Sequence, residues 1–412
     1  MSKNRSFVIE PGFLISTGHV PNLLSVLSAH VSKPVYILPV SAPLHNHLDG
    51  VFVCERILPD SYAHLLVPSK KINAPLRFVA VLFFVLPGKY ARKIRTAYER
   101  TGWMISNSVK VISSIRKLDK KYVFTSSDKF IFPNADLMTV FALFLWLMFR
   151  KKKRLPRIKL RFINVFENYN LPHILGMKQL LGMSKLLNHR IKCVSIFAET
   201  NRYKDQLSNF ADNISVAPYP PVMVTKNRMR LVPKKSKFMT VGVLGSARPD
   251  KGFTEIPILL NYLAQQSFSV KVNFLVQESV ESWGFEYDHA KFLLQTNKHV
   301  ELLPGYLDHN TILENIQKCD LLLLPYDKSI YRFRGSAMLF EAADLNIPVL
   351  APSHTGFGET IRRFGIGWTY GHLSEIPQLL AGLDHLQFRL KVQNLENYNK
   401  VRTQQFDSFL ST

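Results

Sequence analysis

Short apolar runs alternate with amphipathic and polar stretches along almost the whole chain. Ser6–Glu10 (SFVIE), Pro34–Pro39 (PVYILP), Tyr122–Thr125 (YVFT), Lys159–Val165 (KLRFINV) and Lys192–Phe197 (KCVSIF) read as strands. A helix opens at Pro21 and continues through NLLSVLSAHV, so the chain begins as a βαβ unit. Later, apolar runs end at Gly245-Ser246 and at Pro325-Tyr326, and Ile347–Ala351 reads as a further buried strand. Strands that alternate with helices predict an α/β protein of Rossmann-like units.

The punctuation divides the chain in two. FAETNRYKDQLSNF reads as a strand end and a helix, and NISVAPYPPVM follows with three prolines in six positions. Thr225–Lys237 is polar and basic, as expected of a linker. The expected organisation is a first domain over 1–224, a linker over 225–237 and a second domain over 238–387. The polar helical tail, about 388–412, is expected to return to the first domain.

Two segments carry candidate chemistry. LLLLPYDKSIYRFRGSAMLFEAADLNIPVLAP, residues 321–352, reads as strand, loop, helix, strand. Gly335 and Ser336 begin the helix, where unpaired backbone N–H groups and the positive end of the helix dipole favour an anion such as phosphate. Glu341 lies one to two turns further in, where a carboxylate can bond a ribose diol. VGVLGSARPDKGF, residues 241–253, sets Arg248 and Lys251 after a strand and before a helix expected near Thr254. A guanidinium and an ammonium there suit a diphosphate. The plainer reading of both segments is an ordinary strand–loop–helix of an α/β sheet.

Together these segments resemble nucleotide-sugar glycosyltransferases of family 4, which have the B-type (GT-B) fold, two facing Rossmann-like domains with a cleft between them. The resemblance covers about 240–370 specifically and is weak before that. It implies that Arg248 and Lys251, in the loop after Gly245 and Ser246, hold the donor diphosphate. It implies that Gly335, Ser336 and Ala337 meet the phosphates through their backbone, and that Glu341 binds the ribose. In VELLPGYLDHNTILENIQKCDLLLLPY the residue after the glycine turn, Tyr306, is the expected base contact. Many members carry two glutamates eight apart, the first touching the donor sugar. Here Phe333 takes that first position, and the loop offers Asp327, Ser329, Tyr331, Arg332 and Arg334 instead. This departure leaves the donor sugar open.

Charge adds a partner to the picture. The chain has 412 residues and a net charge of +23. Residues 1–233 hold 35 Lys and Arg against 12 Asp and Glu, whereas 234–412 hold 18 of each. The whole excess lies before the nucleotide-type motifs, which implies an anionic partner for the first domain. Leu76–Leu86 and Leu137–Phe149 are apolar, and the second runs into Arg150-Lys-Lys-Lys-Arg154. Both are shorter than the ~20 residues of a membrane-spanning helix. They read as a core strand and a core helix, or the second as an interfacial helix with Trp146 inserted and the basic run on lipid phosphates. Cys54, Cys193 and Cys319 are far apart and read as free thiols. The start lacks the apolar run of a signal peptide, so a cytoplasmic location is expected.

Other polar residues fall near strand ends. His19, on the glycine-containing loop after the first strand, is a candidate contact to acceptor or donor and is carried as a catalytic candidate with Arg248 and Lys251. Asp128, Glu199 and His173 are weaker candidates. No Asp-x-Asp pattern occurs, which fits diphosphate neutralisation without a metal, and no Gly-x-Ser-x-Gly elbow or P-loop is present.

The sequence therefore points to a glycosyltransferase, which the resemblance makes retaining and metal-independent, with no cofactor beyond its nucleotide-sugar co-substrate. The expected acceptor is an anionic or lipid-linked glycan at the inner face of the cell membrane, as in bacterial cell-surface polysaccharide synthesis. The alternative is a catalytically inactive GT-B-fold protein that binds nucleotide or membrane. Nucleic acid is not expected as a partner, since only charge would support it.

Overall fold

The computed structural model describes residues 5–10, 23–24, 26–27, 31, 35–39, 53–58, 109, 111–135, 137–148, 150, 155–163, 193–209, 211–219, 238–266 and 271–411. It divides into two compact units. The first comprises 1–198, 204–216 and 412, and the second 199–203 and 217–411. His19, His173, the run Leu76–Leu86, the basic run Lys151–Arg154 and the expected linker over 225–237 lie outside the described residues.

The first unit is built on a seven-stranded sheet. Its strands are β1 (Ser6–Ile9), β2 (Val35–Pro39), β3 (Val53–Leu58), β4 (Lys129–Phe132), β5 (Arg157–Phe162), β6 (Val194–Ala198) and β7 (Ser215–Val216). They lie in the order β3-β2-β1-β4-β5-β6-β7, and every pairing is parallel. A parallel sheet is covered on both faces, which is why its strands read as near-continuous apolar runs. Two strands depart from that pattern: Glu55 and Arg56 interrupt β3, as an edge strand permits, and Lys159 and Arg161 are buried in the central β5.

One expectation changes here, and one choice between two readings closes. Tyr122–Thr125 is not a strand. A helix over 111–122 ends there, Val123 is left-handed at φ 48, and the strand starts later, at Lys129. Phe124 is buried nonetheless, edge-on to Phe7 and Phe130. The apolar run Leu137–Met148 is a helix whose Val140, Leu143, Phe144 and Leu147 are buried, and Trp146 stacks on Phe130 at 5.8 Å. That is the core reading, with the indole committed to the interior. Among the described residues no helix is long and apolar enough to cross a membrane.

The second unit has a six-stranded parallel sheet in the order β10-β9-β8-β11-β12-β13. β8 is Phe238–Val243, β9 Lys271–Gln277, β10 Val300–Leu303, β11 Leu321–Leu323, β12 Val349–Pro352 and β13 Gly367–Tyr370. The connecting helices are α1 (Ile256–Ala264), α2 (Phe285–Gln295), α3 (His309–Lys318), α4 (Ala337–Asp344), α5 (Gly356–Phe364), α6 (Ile376–Ala381) and α7 (His385–Ser411). Val241, Val276, Leu321, Leu323 and Leu350 bring the strands into one core, and Ile256, Leu259, Leu294 and Ile376 bring the helices. Burying each such side chain contributes about 1.5–3 kcal/mol.

The tail helix α7 belongs with this second unit, not with the first as expected. Its buried Arg402 donates to Phe340 O at 3.1 Å and is bonded to the Asp344 carboxylate, and Asn399 donates to Ala343 O at 2.7 Å. α7 therefore holds the C-terminal end of α4 in place. The strand order reverses between β8 and β11. At such a switch point the loops from the strand C-termini part and leave a crevice for ligands.

Candidate functional site

The loops after β8 and β11 are joined at this switch point. Asp327 N–H donates to Asp250 O at 3.0 Å. Gly245 N–H donates to Gln277 Oε1 at 2.8 Å, and Gln277 Nε2 donates to Gly305 O at 3.1 Å. Gln277, at the end of β9, thus ties the loop after β8 to the loop after β10. Its place at the end of a predictable strand is its only sequence signal.

Pro249–Lys251 form a single 3-10 turn that sends Arg248 and Lys251 to different places. Arg248, half-exposed, pairs with Asp250 at 3.0 Å and lies 3.3 Å from the Tyr331 hydroxyl. That hydroxyl donates to Asp250 at 2.8 Å, so Arg248, Asp250 and Tyr331 form one network. Lys251 turns inward, over the Tyr326 ring at 5.6 Å, and a Cβ at Gly245 would lie 3.1 Å from its Nζ. Burial and the neighbouring Arg248 push Lys251 down to about 8, while Asp250 and Glu341 act in the opposite direction. An anion beside this amine would restore its charge.

Ser336, still extended, precedes α4, and the first turn of the helix carries no acid. Gly335 N–H donates to Glu199 Oε2 at 2.9 Å. A Cβ at 335 would fall 2.7 Å from the Glu199 carboxyl carbon, so a side chain here would push that carboxylate aside. Thr200 Oγ1 donates to Phe333 O at 2.6 Å, and Arg202 donates to His354 O at 2.8 Å. The segment Glu199–Tyr203 therefore fixes the loop that leads into α4. The partner of Glu199 lies 136 residues away in sequence, which is why its role could not be read there.

Glu341 is buried on α4, and its Oε2 accepts no hydrogen bond. Burial first, then Asp344 one turn on, pushes its carboxyl up to about 7, and Lys251 opposes them. The site thus contains a carboxyl group that lacks a donor and an ammonium that lacks full solvation. Asp327 is placed differently: its Oδ1 accepts from Ser329 N–H and from Ser329 Oγ, both at 2.7 Å, so it shapes its own loop. Tyr306 is exposed beside Gly305, whose backbone lies against Ser279 and Val280.

Of the predicted residues, Gly245, Ser246, Arg248, Lys251, Tyr306, Asp327, Tyr331, Gly335, Ser336, Ala337 and Glu341 all lie on the loops after β8, β10 and β11 or on α4. Asp128 does not join a site. Its carboxylate takes two bonds from Arg5, at 2.9 and 2.8 Å, and one from Thr125 N–H at 2.7 Å, so it is a structural ion pair. At the switch point of the first unit, the buried Glu10 accepts from Asn134 Nδ2 at 2.6 Å, a pair the sequence did not single out. Among the described residues no three His, Cys, Asp or Glu side chains gather as metal ligands.

No protein-family profile and no curated protein matches the chain in sequence. Solved structures match its fold end to end. A glycosyltransferase from Rickettsia africae is 14% identical, with a TM-score of 0.61 over 100% of both chains. An E. coli trehalose-6-phosphate structure with bound UDP-2-fluoro glucose is 10% identical, with a TM-score of 0.66 over 99% of this chain and 98% of the other. HepE from Anabaena in complex with UDP and glucose is 14% identical, with a TM-score of 0.58 over 98% and 99%. The two parallel-sheet units are those of the GT-B glycosyltransferase fold.

Proposed function

We propose that the second unit binds a nucleotide-sugar and that the chain transfers the sugar, with retention and without a metal, to an anionic or lipid-linked glycan. One observation carries this reading: a buried carboxyl group with an unsatisfied oxygen and a half-buried, poorly solvated lysine lie within electrostatic range of each other at the switch point. Buried polar atoms are rarely left without partners, so the pair is suited to a ligand that supplies both a hydroxyl donor and an anion. Glu341 takes the ribose diol. Lys251, Arg248 and the backbone N–H groups of Ser246, Ser336 and Ala337 take the diphosphate and the charge it gains on leaving, while the Gly245 N–H is already held by Gln277. Tyr306 is positioned for the base, and Tyr331 sits with Arg248 on the diphosphate side. The neighbours whose structures hold UDP or UDP-sugar support this class of ligand.

The acceptor belongs with the basic half of the chain, whose excess charge suits a phosphate-linked glycan at the cytoplasmic membrane face, as in cell-surface polysaccharide synthesis. His19 is assigned to the acceptor side. Screening UDP-, GDP- and ADP-sugars for release of nucleoside diphosphate tests the reading. Turnover of one of them, lost in Lys251→Met, supports it, and binding without turnover by any sugar nucleotide overturns the enzymatic part. That second outcome fits an inactive nucleotide-binding protein, which is favoured by Phe333 in place of an acid and by the Gly335 N–H already held by Glu199. Replacing Lys151, Lys152, Lys153 and Arg154 with Gln should release the protein from anionic vesicles, at about 1 kcal/mol per charge. Unchanged vesicle binding would turn the basic half toward a soluble polyanion.

A further inference from the structure

Glu341 has a neighbour on a different element. His309 is the first residue of α3, and Asp308 fixes that helix start by accepting from Thr311 N–H at 3.1 Å. His309 Nδ1 lies 3.9 Å from Glu341 Oε1. That separation is too long for a direct hydrogen bond. One bridging oxygen can lie about 2.8 Å from each atom at this separation, a normal hydrogen-bond length. A hydroxyl there would accept from the imidazole N–H and donate to the carboxylate. The other oxygen, Glu341 Oε2, is buried and accepts nothing, so it can take a second hydroxyl. One bridged position and one open acceptor on a single carboxylate match two adjacent hydroxyls.

We propose that His309 is a further donor-binding residue, which donates to one ribose hydroxyl while that hydroxyl donates to Glu341, so that the pair selects ribonucleotides over deoxyribonucleotides. The proposal rests on the nucleotide reading of this pocket. It differs from that reading in naming a second side chain and a consequence for the sugar. His309 is about a third exposed, so its replacement leaves the core of the unit intact.

The test is calorimetric titration of UDP, GDP and ADP, followed by the 2′-deoxy and 3′-deoxy forms of whichever binds. Wild type, His309→Ala and His309→Asn are compared, the last keeping an N–H near the Nδ1 position. One deoxy form should bind wild type about tenfold more weakly, as expected for one hydrogen bond to a charged group. His309→Ala should bind the ribonucleotide about tenfold more weakly, and should discriminate against that deoxy form less than wild type does. His309→Asn should recover most of both effects. Ribonucleotide affinity unchanged in His309→Ala, or a deoxy penalty as large in the variant as in wild type, overturns the role of His309 alone. Failure of all three diphosphates to bind wild type overturns the nucleotide reading and this proposal with it.

Discussion

Asp128, just before β4 in the first unit, and Glu341, on α4 in the second, are both buried acids, and both were candidates from sequence. Their surroundings are opposite. Asp128 accepts three bonds from Arg5 and the Thr125 N–H, with a fourth from Thr125 Oγ1 at 3.1 Å. Glu341 has an oxygen with no donor, a like charge one turn away, and a carboxyl pushed up to about 7. A buried acid that is fully bonded holds the fold, whereas one that is left wanting is available to a ligand. Burial alone does not separate the two cases; the count of partners does.

The largest effect should come from Asp128. Breaking a buried ion pair by removing one partner costs roughly 3–5 kcal/mol. Arg5 is a third exposed, so the low end, about 3 kcal/mol, is expected for Asp128→Ala. Chemical denaturation of wild type and variant measures it. Glu341→Gln should leave that midpoint unchanged or raise it, since it replaces a carboxyl group with no donor. Equal losses from the two substitutions would erase the contrast.

Lys251 comes next. Lys251→Met should slow sugar transfer roughly hundredfold, the usual scale for removing one preorganised group that stabilises developing charge. A bare nucleoside should bind the variant as it binds wild type. If nucleoside and nucleoside diphosphate lose affinity equally, Lys251 does not face the diphosphate.

A smaller effect is the pH dependence. Glu341 titrates at about 7 when folded, against 4.5 for an ordinary glutamate. Between these values the folded chain keeps a proton that the unfolded chain has released, so stability should fall as pH rises from about 5 to 7. Ligand binding should run the other way, strengthening toward pH 7 as the carboxylate forms, by at most about tenfold per pH unit. Stability curves of Glu341→Gln should lose this slope. A variant with the same slope as wild type would assign the titration to another group.

Most of the strands that pair in parallel were legible because burial on both faces makes them near-continuous apolar runs. The exceptions have physical causes. Phe124 is buried without being in a strand, which misplaced β4, and the charges of Glu55 and Arg56 hid the edge strand β3. In the site, Arg248, Lys251, Gly335 and Glu341 were legible because each sits at a fixed offset from a strand end or a helix start. Gln277, His309 and Arg402 were not, and Glu199 was legible only as a residue near a strand end, not in its bond to Gly335. Their partners are supplied by other elements, as with Arg402, which reaches Asp344 from 58 residues away. Sequence spacing within one element carries no trace of such pairs.

The central claim is that the Glu341 pocket is a nucleotide site. Titration of UDP, GDP and ADP into wild type and Glu341→Ala tests it most directly. Wild type should bind at least one of them. Glu341→Ala should bind it about tenfold to a hundredfold more weakly, the equivalent of roughly 1.5–3 kcal/mol for a bond to a charged group, with an unchanged unfolding midpoint. Failure of all three to bind, or equal affinity in the two proteins, would contradict the account.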